Sequence, residues 1–301
     1  MESPHLHGLQ VRVRFFAPPP ELRRYFTTFY YLEFTGGSCS PVVDHLHPEW
    51  ANLRFFSING PRTEFLDGRP VTDAMFNASG PSSKTLRFTL SPPSRMWGVG
   101  LLPLGWAKFM DVDACDLADA MVDGLAHPSF SSFVPLARSL FGAEPDLDAE
   151  YAAMANHFLG RDLSPVPDEE RILAVHSALI DPEVHSVTDL VARSGVNQRT
   201  LERISSRVFG FSPKLLLRRQ RFLRSVAYFV ADPAHNWIES LDSQYHDQSQ
   251  FVRDFKEFMG MTPRQYAALD KPILGAFMAA RVQLAGHAVQ GLDSPEGGGK
   301  V

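Results

Sequence analysis

Up to about residue 110, apolar positions alternate with polar ones in short runs closed by Pro and Gly. Val11, Val13 and Phe15 precede Pro18-Pro19-Pro20, Leu53 and Phe55 precede Asn59-Gly60-Pro61, and Leu86, Phe88 and Leu90 precede Pro92-Pro93. Period two with frequent turn residues predicts β-strands. From about Asp116 the spacing lengthens to three and four, as in Phe133, Leu136, Leu140 and Tyr151, Met154, Phe158, which predicts helices. A loop, Ser164-Pro165-Val166-Pro167, then precedes Asp168-Glu169-Glu170, three acids placed where a helix N-terminus favours them. The expected fold class is α+β. A β-rich domain spans 1–115, a helical region 116–163, a linker 164–170, an all-α domain 171–269 and a tail 270–301. The end from Asp293, with Ser294-Pro295 and Gly297-Gly298-Gly299, is expected to be disordered.

The all-α part contains a repeat at an offset of fifty residues. Gly210-Phe211-Ser212-Pro213-Lys214 returns as Gly260-Met261-Thr262-Pro263-Arg264, and upstream Gln198, Leu201 and Arg203 match Gln248, Phe251 and Arg253. In each copy Gly stops one helix, and Ser or Thr caps the next with Pro at its first position. In the first copy Ser186-Val187-Thr188-Asp189 fits a capping box, Gly195 permits a tight turn, and Asn197 caps a helix from Gln198 to Phe209. That is a helix-turn-helix. Leu201, Ile204 and Val208 form its apolar stripe, which leaves Arg199, Arg203 and Arg207 on another face, suited to a major groove. The following helix, from Pro213 to about Val230, is ~27 Å long, enough to set two such reading helices about one DNA turn apart.

Charge looks at first like an objection, because the 301 residues carry a net charge of −5. Its distribution removes the objection. Arg193, Arg199, Arg203, Arg207, Lys214, Arg218, Arg219, Arg221 and Arg224 face one acid, Glu202, between 193 and 224. This basic stretch coincides with the helix-turn-helix. From Trp237 to Asp270 the balance reverses, with Arg253, Lys256 and Arg264 against six acids, so the first unit is expected to supply most phosphate affinity.

The segment 171–269 resembles the DNA-binding domain of the AraC/XylS family of transcriptional regulators. The residues carrying the resemblance are Leu190, Gly195, Leu201-Glu202-Arg203, Gly210-Phe211-Ser212-Pro213, Arg221, the run Asp247 to Lys256, and Gly260-Met261-Thr262-Pro263-Arg264-Gln265-Tyr266. Glu239, Ser240 and Gln244 depart from the pattern, and Gln244 stands where Gly allows a positive φ. The resemblance implies two helix-turn-helix units on one long helix, double-stranded DNA as partner, and a regulator rather than an enzyme. Base edges are expected to be read by Gln198, Arg199 and Glu202, with Gln248, Gln250 and Arg253 as the counterparts in the second unit. Arg203, Arg207, Arg218 and Arg221 are expected nearer phosphates. It also implies a cupin-like sensor barrel at the N-terminus, which Gly98-Val99-Gly100-Leu101-Leu102-Pro103-Leu104-Gly105-Trp106 resembles. A small-molecule effector, a homodimer formed through 116–163 and contact with RNA polymerase belong to the same expectation.

Competing chemistry is sparse. His45, His47 and Glu49 have the spacing of two strand ligands and a carboxylate, but lack the flanking glycines and the distant third histidine of a cupin metal site, so no metal or other cofactor is expected. They are the sole basis for a second reading, a cupin-type enzyme with an appended DNA module. A third is a degenerate regulator acting through protein contacts. Cys39 and Cys115 have no partners at ligand or redox spacing. No signal peptide or run of about 18 apolar residues is visible, and a cytoplasmic location away from the membrane is expected. Phe15, Phe16, Phe26, Phe29, Tyr30, Tyr31, Phe55 and Phe56 are expected in the core, with some of them able to line a barrel mouth for an apolar effector.

Overall fold

The structure, a computed structural model, describes residues 9–36, 41–65, 73–231, 241–245 and 247–296. The strands are β1 (Leu9–Phe16), β2 (Phe26–Gly36), β3 (Val42–Leu46), β4 (Ala51–Ile58), β5 (Arg62–Phe65), β6 (Phe76–Ser79), β7 (Leu86–Leu90), β8 (Ser94–Leu101) and β9 (Met121–Asp123). They form two antiparallel sheets, ordered β1-β2-β8-β4-β6-β9 and β3-β7-β5. Strict alternation would bury one face only; the central strands β2, β4 and β8 are buried at nearly every position, so the large sheet is covered on both faces. Phe29, Tyr31, Leu53, Phe55, Phe76, Trp97 and Val99 point outward to helices, while Leu32, Phe34, Phe56 and Met96 point toward the small sheet. Of the aromatics expected in the core, Phe26, Phe29, Tyr31 and Phe55 lie in the outer cluster, with Phe16 packed on its edge.

The outer face is covered by α1 (Pro103–Phe109), α2 (Val134–Ser139) and α3 (Leu147–Leu159). Helix α1 lies within the stretch up to about residue 110 where strands are expected. Pro103 at its first position lacks an N–H that would be unsatisfied there anyway, so it starts the helix rather than breaking it. The region 116–163 is not wholly helical, since β9 adds the sixth strand to the large sheet.

Then come α4 (Glu169–Ile180), α5 (Val187–Ser194), α6 (Gln198–Phe209), α7 (Pro213–Ala231), α8 (Gln248–Met259), α9 (Pro263–Ala267) and α10 (Pro272–Ala285). Helices α4 to α6 and the start of α7 share one continuous apolar cluster with the outer face of the large sheet. A second cluster joins the rest of α7 to α8, α9 and α10 through Phe222, Phe255, Phe258 and Met278.

The tail departs from expectation. Helix α10 lies on β1 and β3, with Phe277 edge-on to Phe15 and Tyr30 at ring separations of 5.9 and 5.4 Å. Asp293, expected in a disordered end, is fully buried and ion-paired with Arg281, which no local composition rule registers. Gly297-Gly298-Gly299 lie outside the described residues, as do Cys39, Glu239 and Ser240.

Candidate functional site

The first helix-turn-helix follows its local sequence closely. The Ser186 hydroxyl accepts from the Asp189 N–H and the Asp189 carboxylate from the Ser186 N–H. Gly195 sits at φ 68°, where an L side chain is strained, and the Asn197 side chain accepts from the Thr200 N–H at 2.9 Å to open α6. Leu201, Ile204 and Phe209 are buried, which fixes the opposite face of α6 outward.

On that outward face Gln198, Arg199 and Glu202 are exposed, and the Gln198 amide donates to the Glu202 carboxylate at 3.0 Å. Arg203 pairs with Asp168 at 2.6 Å, and Arg207 with Asp113 at 3.1 Å. These two acids lie outside the helix-turn-helix, one at the start of α4 and one beside the barrel. The hydrogen bonds from Arg203 and Arg171 hold the Asp168 carboxyl below the usual carboxylate range.

The connector α7 carries cations that face inward. Arg218 reaches Asp254 and Glu257, each at 2.6 Å, and Arg221 reaches the other oxygen of Asp254 at 2.9 Å. Arg224 pairs with Asp242. Arg219 is fully buried, lies 4.0 Å over the Trp50 ring and donates to the Ser82 carbonyl at 2.9 Å; burial pulls its pKa down to about 9. Among the described residues, Arg199, Lys214 and Arg219 are the members of the basic stretch without an ion-pair partner. The positive surplus counted along the sequence is thus largely matched by acids remote in the chain.

In the second unit the Asp247 side chain accepts from the Gln250 N–H at 2.7 Å and opens α8, which buries Phe251, Phe255 and Phe258. Gln248 and Arg253 are exposed on its other face, and Gln250 is half-buried. Gln244 does not adopt a positive φ; the Asp242 carboxylate accepts its N–H at 2.9 Å, so a side-chain-capped turn replaces a glycine turn. The unit is fastened to the barrel. The Tyr266 hydroxyl meets His47 Nε2 at 2.7 Å, and the Thr85 N–H donates to the Phe258 carbonyl at 2.8 Å.

Between the two sheets lies a cavity of about 120 Å³. Its floor is the inner face of the large sheet, where register aligns Tyr30, Gly98, Arg54 and Asn77 in one row and Thr28, Gly100, Asn52 and Ser79 in the next. The glycines leave room for neighbouring side chains: a Cβ on Gly98 would lie 2.2 Å from the Tyr30 ring, and one on Gly100 2.1 Å from the Gln290 amide nitrogen, so the ring or the amide would have to shift. Leu46, Phe56, Phe88 and Leu90 form apolar walls, and Ile273, Phe277 and Met278 of α10 close the top. Arg54 is neutralised by Glu49, and Arg281 by Asp293. Burial pushes the Tyr30 hydroxyl up to about 12. Both side-chain amide atoms of Asn77 and the Thr28 hydroxyl line this space without a hydrogen-bond partner, a cost of about 1–3 kcal/mol for each unsatisfied group.

The candidate metal ligands are separated by their partners: His47 bonds Tyr266, Glu49 binds Arg54, and burial lowers His47 to about 4 and also depresses His45. Among the described residues no group of three His, Cys, Asp or Glu side chains is arranged to hold a metal. The polar floor, Asn77 and Asp44 were not singled out from the sequence. The one available signal was Gly98-Val99-Gly100, whose small residues make room for neighbouring side chains.

Residues 190–268 match the family described as Helix-turn-helix domain. The comparison with curated proteins finds no match. Among solved structures the chain is similar to ToxT from Vibrio cholerae, at 10% identity and a TM-score of 0.41 over 86% of this chain and 98% of that one. It is similar to ToxT from strain O395 at 10% identity and a TM-score of 0.38, over 87% and 97%. For ToxT from strain SCE256 with an unsaturated fatty acid bound, the values are 11% and 0.35, over 86% and 95%.

Proposed function

Because residues 190–268 form an AraC-type helix-turn-helix domain, we propose that the chain is a sequence-specific transcriptional regulator whose α6 enters the major groove. The observation that carries the reading is the exposed face of α6, where Gln198, Arg199 and Glu202 stand on a helix fixed by its Asn197 cap and buried stripe. Among the described residues Arg199 has no internal partner, and it is the residue proposed to take a guanine edge. Arg203 and Arg207 act as phosphate contacts once they leave Asp168 and Asp113. Gln248, Gln250 and Arg253 play the corresponding parts in the second unit. Arg218 and Arg221 join α7 to α8 through Asp254, which supports a bracing role for them in place of phosphate contact.

The N-terminal part acts as a sensor through the cavity between its sheets, with a small molecule as effector. The apolar faces of α2 and α3 are used against the large sheet, which supports a packing role for 116–163 over a dimerisation surface. Binding-site selection with purified protein should return a defined operator, and Arg199→Ala should relax one position of it. An unchanged preference in a folded Arg199→Ala protein would remove Arg199 from base reading, and salt-insensitive binding without sequence preference would overturn the reading as a whole.

A further inference from the structure

The cavity floor is chemically unusual. Interior sheet faces are ordinarily apolar, yet this one presents Thr28, Tyr30, Asn52, Arg54, Asn77 and Ser79, each on a strand whose opposite face is apolar. Most of these groups satisfy one another. Tyr30 donates to Asn52 at 3.0 Å, the Gln290 side chain meets both Asn52 and Thr27, and Arg54 reaches Glu49 and Ser79. Asn77 does not. It is 0% exposed, it lines the cavity, and its donor and its acceptor are both unpaired. An amide in that state is complementary to a group offering one acceptor and one donor together, as another amide does. Thr28 adds an unpaired hydroxyl at the far side of the same floor.

Charge narrows the class further. The guanidinium groups at the cavity, Arg54 and Arg281, are already ion-paired with Glu49 and Asp293, and the neighbouring His47 is uncharged at neutral pH because burial holds it at about 4. An ionic ligand would enter without an available counter-charge and would be left desolvated. The remaining walls are Leu, Phe and Met, and the volume suits a body the size of one six-membered ring.

Resting on the sensor reading above, we propose that the cavity binds a neutral, mainly apolar small molecule through a carboxamide-like head, with Asn77 reading the head and α10 closing over the body. Helix α10 supplies Ile273, Phe277 and Met278 to the cavity, so its position responds to what the cavity holds.

Three phenyl probes that differ in the head group test this on the full-length protein: benzamide, its isostere benzoate, and toluene, which lacks a polar head, followed by calorimetric titration and thermal shift. Benzamide is expected to bind at least tenfold more tightly than the other two. Asn77→Leu, which replaces the unpaired amide by an apolar side chain of similar size, should reverse the order of benzamide and toluene. Thr28→Val, at the far side of the floor, should weaken benzamide less and serves as a second variant if Asn77→Leu does not fold. Tighter binding of benzoate, equal binding of all three, or an Asn77→Leu protein with the wild-type order would each overturn the proposal. Absence of binding by every probe in protein that still selects an operator would overturn the ligand site and leave the DNA reading intact. Loss of operator binding in untreated protein would instead strike the functional reading itself.

Discussion

The buried carboxylate of Asp44, on β3, accepts the backbone N–H of Ile273 at 2.9 Å and that of Leu274 at 2.8 Å. These are orphan donors in the first turn of α10, so a barrel strand caps a helix more than two hundred residues away in the chain. Asp44→Ala should cost about 1–2 kcal/mol. The loss should be local: hydrogen exchange of 272–285 should accelerate more than that of α5 and α6. Uniform acceleration across the molecule would argue that the cap has no special hold on α10.

Stability should fall on mild acidification. Burial holds His47 and His176 at about 4, below the ordinary histidine value of 6.5. Unfolded, both take up protons as pH drops through 6.5, while the folded protein resists until about 4. Their contribution is therefore complete above pH 6.5 and is lost progressively as pH falls toward 4, at ~1–3 kcal/mol per histidine. Thermal unfolding at pH 7, 6 and 5 should show this decline, and His47→Gln should flatten it. A wild-type profile level from pH 7 to 5 contradicts the assignment.

Asp113 and Asp168 hold two cations of α6 by ion pairs. Asp113→Asn and Asp168→Asn should tighten binding to the selected operator several-fold at low salt. Each freed arginine that gains a phosphate should steepen the dependence of log K on log salt by about 0.9. Filter binding over a salt series decides the matter, and unaltered slopes would mean that neither acid competes with DNA.

Arg219 gives the opposite expectation. It is fully buried against Trp50 and donates to backbone carbonyls of the barrel. Arg219→Ala should lower stability by about 2–4 kcal/mol, from the emptied volume and the orphaned Ser82 carbonyl, and leave the salt slope of DNA binding unchanged. A slope reduced by about one would identify Arg219 as a phosphate contact after all.

Asn197, Gly195, Ser186 and Gly210 were legible in the sequence because each acts on neighbours within a few positions. Helix α6 accordingly runs from Gln198 to Phe209, as its caps and stripe require. Partners remote in the chain were not legible. The basic stretch looked like an open positive surface until Asp113, Asp168, Asp181, Asp242 and Asp254 were brought against it by folding. Asn77 had no signal of its own, since a strand residue's facing depends on which sheet receives it. Helix α10 was missed because its caps come from Asp44, and Asp293 because its partner Arg281 lies on that unanticipated helix.

Helix α10 leaves the second helix-turn-helix unit and returns at once to the barrel, so the order of parts along the chain is not their order in space. A chimera joined at residue 270 would therefore be cut in the wrong place. The helix-turn-helix half would carry away the helix that closes the cavity, and the barrel left behind would have an open end. To transplant this barrel onto another DNA-binding domain, residues 272–296 must travel with it, as a second piece inserted after the foreign domain.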